Sequence, residues 1–148
     1  MWTYAWHVPH MVQWLHVADG ARMPPDDLAH RSEPKRVPAV FFKTEAGGEP
    51  VREWLKGLSN EERRLIGQDI KTVEFGWPGM PVCRPLREGI FEVRTSLNRN
   101  RIARVLFYID KKSRMVLLHG FIKKTQRTPY DDLELARKNK TKHQAGLE

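Results

Sequence analysis

From residue 37 onward, apolar and polar positions fall into regular periods. Val37–Lys43 is a β-branched and aromatic run that predicts a strand, and Gly47-Gly48 breaks it. Pro50 suits the first turn of a helix, and Val51, Trp54, Leu55 and Leu58 recur at helical spacing, with Gly57 near the end. Ser59-Asn60-Glu61-Glu62 fits the S-x-x-E capping box, in which the hydroxyl accepts from an early backbone N–H and the glutamate reaches back. Leu65, Ile66, Ile70 and Val73 then mark one apolar stripe, ended by Gly76 and Pro78. The two helices are expected to form a hairpin whose apolar faces cover a sheet.

Gly76–Gly89 is rich in proline and glycine and predicts a loop. Three strand-like runs follow. Ile90–Leu97 alternates, with Phe91 and Val93 on one side and Glu92, Arg94 and Ser96 on the other. Ile102–Ile109 and Met115–Ile122 are β-prone, and the short turns at Asn98–Asn100 and Asp110–Ser113 imply an antiparallel meander. Thr128-Pro129-Tyr130-Asp131-Asp132 predicts a helix start, with Thr128 as cap and Pro129 in the first position. The fold class is therefore α+β: a small twisted antiparallel sheet, an N-terminal helical hairpin and a short C-terminal helix.

Residues 1–36 break this regularity. They carry Trp2, Trp6, Trp14, Met11 and Met23 with four of the six histidines, interrupted by Pro24-Pro25 and Pro34. The spacing of His7, His10, His16 and His30 matches no zinc motif, so no metal is expected. The segment lacks a signal-peptide pattern. It predicts a poorly ordered extension or upstream codons before a start at Met23 or Val37. The expected domain spans residues 37–143, with a frayed tail at 144–148. No apolar run is long enough to suggest a membrane span. The lone Cys83 lies between prolines with no histidine near it, and is read as a loop residue compatible with a reducing cytoplasm.

The 148 residues carry a net charge of +8, which makes a polyanion a natural partner. The excess is concentrated. Between Arg84 and Arg127 twelve basic residues stand against three acids, a local +9 that exceeds the whole chain's. Clustering of this kind is the footprint of a phosphate-binding surface. Arg104 is the sharpest position, because an arginine inside an apolar strand needs a counter-charge or a cleft. It has two readings: a salt bridge to Glu92 on the neighbouring strand, or a bidentate phosphate clamp.

Several segments resemble one known family. Leu117-Leu118-His119-Gly120-Phe121-Ile122-Lys123-Lys124-Thr125-Gln126-Arg127-Thr128-Pro129 is similar to the L-L-H-x-F-x-K-K-T-x-x-T-P signature of phage-derived HigB-like toxins in the RelE/HigB superfamily. Phe91-Glu92-Val93-Arg94, Arg101–Phe107 and Pro50–Leu58 resemble further motifs of that family, in the same order. The resemblance covers about residues 37–143 and implies a compact RelE-like fold. It also implies the toxin of a type II toxin–antitoxin system, an mRNA interferase that cleaves messages on the ribosome without metal or cofactor. A helix-turn-helix antitoxin would be its partner, with DNA touched only through that antitoxin. The alternative is a non-catalytic protein on the same fold that binds RNA, the ribosome or the antitoxin.

Metal-free RNA cleavage needs a proton taken from the 2′-OH, charge stabilised on the phosphorane, and a proton given to the 5′-oxygen. Arg94 and Arg104 are the candidates to bind the scissile phosphate. Lys123 and Lys124 are adjacent at a strand end and point to opposite sides, so only one faces a given cleft, with Lys124 a candidate for proton transfer. His119 suits acid–base work near neutral pH, or else is a hydrogen-bonded core histidine. Tyr130 is a candidate stacker or acid. Arg84, Arg87, Arg99, Arg101, Lys111, Lys112 and Arg127 are expected to position the RNA backbone.

Overall fold

The computed structural model describes residues 34–79, 81–125 and 127–146. In chain order the elements are β1 (Ala39–Phe41), α1 (Pro50–Lys56), α2 (Asn60–Gly76), β2 (Cys83–Pro85), β3 (Phe91–Ser96), β4 (Ile102–Ile109), β5 (Met115–Lys123) and α3 (Tyr130–Gly146). The fold is α+β, as the periodicities require. Residues 1–33, which hold most of the expected N-terminal extension, lie outside the described residues.

The strands form one sheet in the order β1-β5-β4-β3-β2. The expected meander β3–β4–β5 is antiparallel throughout. Its first turn places Arg99 and Asn100 at φ of 59° and 61°, the pair of left-handed residues that a tight hairpin turn uses. Two features differ from expectation. β1 pairs parallel to β5, Ala39 opposite Met115 and Phe41 opposite Leu117, so the sheet is mixed. A parallel pair needs a long crossover, and α1 and α2 lie within that connection. The second difference is β2. Residues 83–85, read as loop, pair antiparallel with β3 at the sheet edge, where a missing proline N–H costs no ladder bond.

α1 packs on β5 and α2 on β3, and their apolar stripes bury Val51, Leu55, Ile66, Ile70 and Val73 against Val93, Val105, Phe107 and Leu117. Each such side chain contributes roughly 1.5–3 kcal/mol when fully buried. The capping box forms as expected, Ser59 Oγ accepting from Glu62 N at 3.1 Å and Glu62 Oε1 from Ser59 N at 3.3 Å. At the far end of α2, buried Glu74 fastens the entry to β1. Its carboxylate accepts from Ala39 N at 2.7 Å and from Lys35 Nζ at 3.1 Å. The opposite sheet face carries a second apolar cluster, Phe42, Ile90, Leu106, Tyr108, Val116, Leu118 and Phe121, packed with Ala136 of α3. That helix has 17 residues, longer than the short helix expected, and continues through 144–146 of the expected tail. Among the described residues no helix is long and apolar enough to cross a membrane.

Candidate functional site

The sheet face under α3 becomes charged at one end, and a β-bulge decides which side chains reach it. The β4–β5 register pairs Leu106 with His119 but Phe107 with Leu117, so β5 carries one extra residue there. Leu117 belongs to the core beneath α1 and α2, and Leu118 to the cluster beneath α3. Strict alternation would return His119 to the Leu117 side. The bulge turns it to the α3 side instead, as such irregularities commonly re-aim a side chain. Phe121 joins the α3-side cluster, and Gly120 falls beneath Trp54 of α1. A Cβ at Gly120 would overlap the indole ring, so the glycine of the signature is a packing requirement.

Glu92 is the electrostatic hub. It is wholly buried, with Oε1 at 3.0 Å from Arg84 Nε and 3.6 Å from Arg94 Nε, and Oε2 at 3.9 Å from Arg104 Nε. The Thr128 hydroxyl donates to Oε2, so this side chain ties β3 to the segment entering α3 instead of capping the helix, which begins at Tyr130. Arg84 lies opposite Glu92 across β2–β3, and Arg94 opposite Arg104 across β3–β4.

Arg104 differs from the expected phosphate clamp. Its side chain is 0% exposed. Nη1 donates to the Arg127 carbonyl at 3.0 Å, and Nη2 donates to the Thr125 carbonyl. The guanidinium lies 5.9 Å from the Phe121 ring centroid. Burial pushes its pKa down, Glu92 opposes that, and Arg94 and Arg84 add to the depression. With its terminal nitrogens committed to two carbonyls, Arg104 anchors the loop after β5. The salt bridge to Glu92, its other reading, is present.

On β5, His119 Nε2 lies 2.7 Å from Asp132 Oδ1, and the ring stacks on Phe121 at 5.4 Å and 24°. Lys123 shares that carboxylate, its Nζ 3.9 Å from Oδ2. Lys123 is therefore the lysine on the His119 side, while Lys124 lies exposed beyond the strand end. Sequence reasoning missed Asp132 as a site residue. Its position in the first turn of a helix, where acids favour the dipole, supplied a sufficient explanation by itself.

Between the β2–β3 loop and the start of α3 runs an open groove of about 580 Å³. Arg84, Arg87, Arg127 and Tyr130 line it, together with Leu133 and Arg137. Tyr130 is 73% exposed, and its hydroxyl donates to Glu134 at 3.4 Å. Arg137 donates to Glu134 and, at 3.0 Å, to Glu88. Among the described residues the side chains of Arg87 and Arg127 have no ion-pair partner, which leaves them available to an anion.

The other expected RNA contacts lie apart from this groove. Arg99 and Arg101 are at the β3–β4 turn, where Arg101 donates to Glu62 of α2 at 2.6 Å. That pairing spends Arg101 on joining the turn to α2. Lys111 and Lys112 occupy the β4–β5 turn at the opposite end of the strands, beyond Ile109 and Met115. Cys83, half-buried in β2, has its thiol pushed up to about 11 by burial and by Glu92, which removes it as a nucleophile at neutral pH. Among the described residues no three His, Cys, Asp or Glu side chains gather as metal ligands would.

The arrangement brings together two kinds of group: guanidinium side chains of the kind that pair with phosphate, and an imidazole and an ammonium that share one carboxylate. Residues 53–141, from Glu53 in α1 to Thr141 in α3, match a family model described as Phage derived protein Gp49-like (DUF891). No curated protein matches the chain.

Proposed function

The chain belongs to the phage-derived Gp49-like family, which is associated with RelE-like toxins, and on that premise we propose that it is the toxin of a type II toxin–antitoxin pair that cleaves messenger RNA on the ribosome. The observation that carries this reading is the shared sheet face of Arg94, His119 and Lys123, linked through Glu92, which pairs with both Arg94 and Arg84, to a groove lined in part by Arg84, Arg87 and Arg127.

In this reading Arg94 and the groove arginines hold the scissile diester and the charge that grows on it. His119 takes the 2′-OH proton. The 2′-oxygen then bonds to phosphorus, and the bond from phosphorus to the 5′-oxygen breaks. Lys123 or Tyr130 returns a proton to that oxygen, leaving a 2′,3′-cyclic phosphate and a 5′-hydroxyl. The step needs no metal, since arginine supplies the positive charge. Arg104 acts through the loop it anchors and need not touch RNA. The basic groove also suits an acidic segment of a cognate helix-turn-helix antitoxin, whose binding there would exclude the message.

The test is cleavage of ribosome-bound message in the presence of a chelator, with new ends mapped by primer extension. Arg94→Ala and His119→Ala are each expected to lose about 10²–10³-fold in rate. No new ends with the wild-type chain would remove the endonuclease reading and leave the non-catalytic RNA-binding alternative.

A further inference from the structure

We infer that Asp132 is a positioning residue that fixes which nitrogen of His119 is free to take up a proton, and that it holds Lys123 beside that histidine. The inference rests on the endonuclease reading and deepens it by naming the device that sets the proton acceptor.

A carboxylate has only acceptors to offer. At 2.7 Å from Asp132 Oδ1, the neutral ring of His119 must therefore carry its proton on Nε2. The lone pair is left on Nδ1, which has no partner among the described residues. Both side chains are 16% exposed, so water competes little for this bond. Phe121 stacks against the imidazole and limits its rotation. The carboxylate is thus oriented by its place in the first turn of α3, and the ring by its place after the bulge in β5.

An acid that served only its own helix would direct its oxygens at the backbone N–H groups of the first turn. Asp132 instead presents both oxygens to β5, one to His119 and one toward Lys123. When Nδ1 accepts a proton, the imidazolium forms with its counter-charge already in place. The ammonium of Lys123 stays on the same face to serve the leaving oxygen. Asp132→Asn reverses this arrangement. With its carbonyl drawn to the Lys123 ammonium, the amide is expected to turn its NH₂ to Nε2, moving the neutral ring's proton to Nδ1 and blocking the acceptor.

The experiment combines ¹⁵N NMR of the His119 ring with cleavage kinetics on ribosome-bound message, using wild type, D132N and D132E. The wild-type neutral ring is expected to be protonated on Nε2, and the D132N ring on Nδ1. D132N should lose about 10²-fold or more in kcat, since a reversed tautomer withholds the base, with KM little changed. D132E, which keeps a carboxylate, should recover part of that loss. Wild-type His119 protonated on Nδ1 overturns the inference however the variants fold. So does a D132N chain that cleaves at the wild-type kcat. A wild-type chain that does not cleave at all sinks the endonuclease reading first, and the proton-transfer role of Asp132 with it.

Discussion

Arg94 and Arg104 stand directly opposite each other in the β3–β4 ladder, like charges in register, and the buried carboxylate of Glu92 turns one oxygen toward each. Like charges placed opposite in a sheet repel, so the carboxylate is what makes the pairing tolerable. Glu92→Gln keeps the shape and removes the charge, depriving the buried guanidinium of Arg104 of its main counter-charge. The expected cost is about 3–5 kcal/mol of unfolding free energy, read by urea denaturation. A loss under about 1 kcal/mol, the scale of an exposed pair, would show that the arginines do not depend on it.

Arg104 separates an anchoring role from a binding role. Arg104→Lys retains the charge but cannot reach two carbonyls with a planar fork. The expected result is faster amide hydrogen exchange at Thr125, Arg127 and Thr128 and a loss of cleavage of about 10²-fold, comparable with Arg94→Ala. Arg94→Ala should leave exchange in that loop unchanged. Equal exchange in both variants would place the function of Arg104 elsewhere.

Gly120 is held by packing rather than chemistry. Gly120→Ala drives a methyl into the Trp54 ring, and overpacking of this kind costs about 1–3 kcal/mol. Pairing it with Trp54→Leu, which vacates the ring's space, should cost less than the sum of the two single changes. Strict additivity in thermal or urea denaturation would argue against the contact.

The far end of α3 carries a pH-dependent contact. His143 Nδ1 and the buried Tyr108 hydroxyl are 2.6 Å apart. Burial holds His143 below its ordinary range, Asp110 opposes this, and Arg114 adds to it. The unfolded chain therefore binds a proton that the folded chain resists. Stability from this group is full above about pH 6.5, the ordinary histidine value, and declines as pH falls below it. The urea midpoint of wild type should drop between about pH 7.5 and 5.5 by more than that of His143→Gln. Parallel profiles would exclude the contact as the cause.

Cys83 should be chemically quiet. With its thiol near 11, alkylation by iodoacetamide at neutral pH is expected to be far slower than for a free thiol, and Cys83→Ala should leave cleavage intact. Rapid labelling in the folded chain would contradict the raised thiol pKa of this half-buried side chain.

The linear pattern by itself determined a good deal. Helical spacing in Val51–Leu58 and Leu65–Val73 sufficed for the two helices, S-x-x-E for the cap of the second, and alternation in residues 90–122 for the meander, because these are short-range signals repeated within a few residues. The concentration of positive charge and the motif at residues 117–129 were equally visible. What needed tertiary structure was anything set by partners distant in the chain. The parallel docking of β1 depends on β5 some 75 residues away. The three-residue edge strand β2 exists because β3 offers it a ladder. The bulge at Leu118 turns His119 toward Asp132, and the carbonyls of Thr125 and Arg127 take up Arg104, converting the most suspicious arginine in the sequence into an internal anchor. Periodicity reports which residues are apolar, but one extra residue in a strand reverses the face of everything after it, and only the paired strand reveals where that residue was inserted.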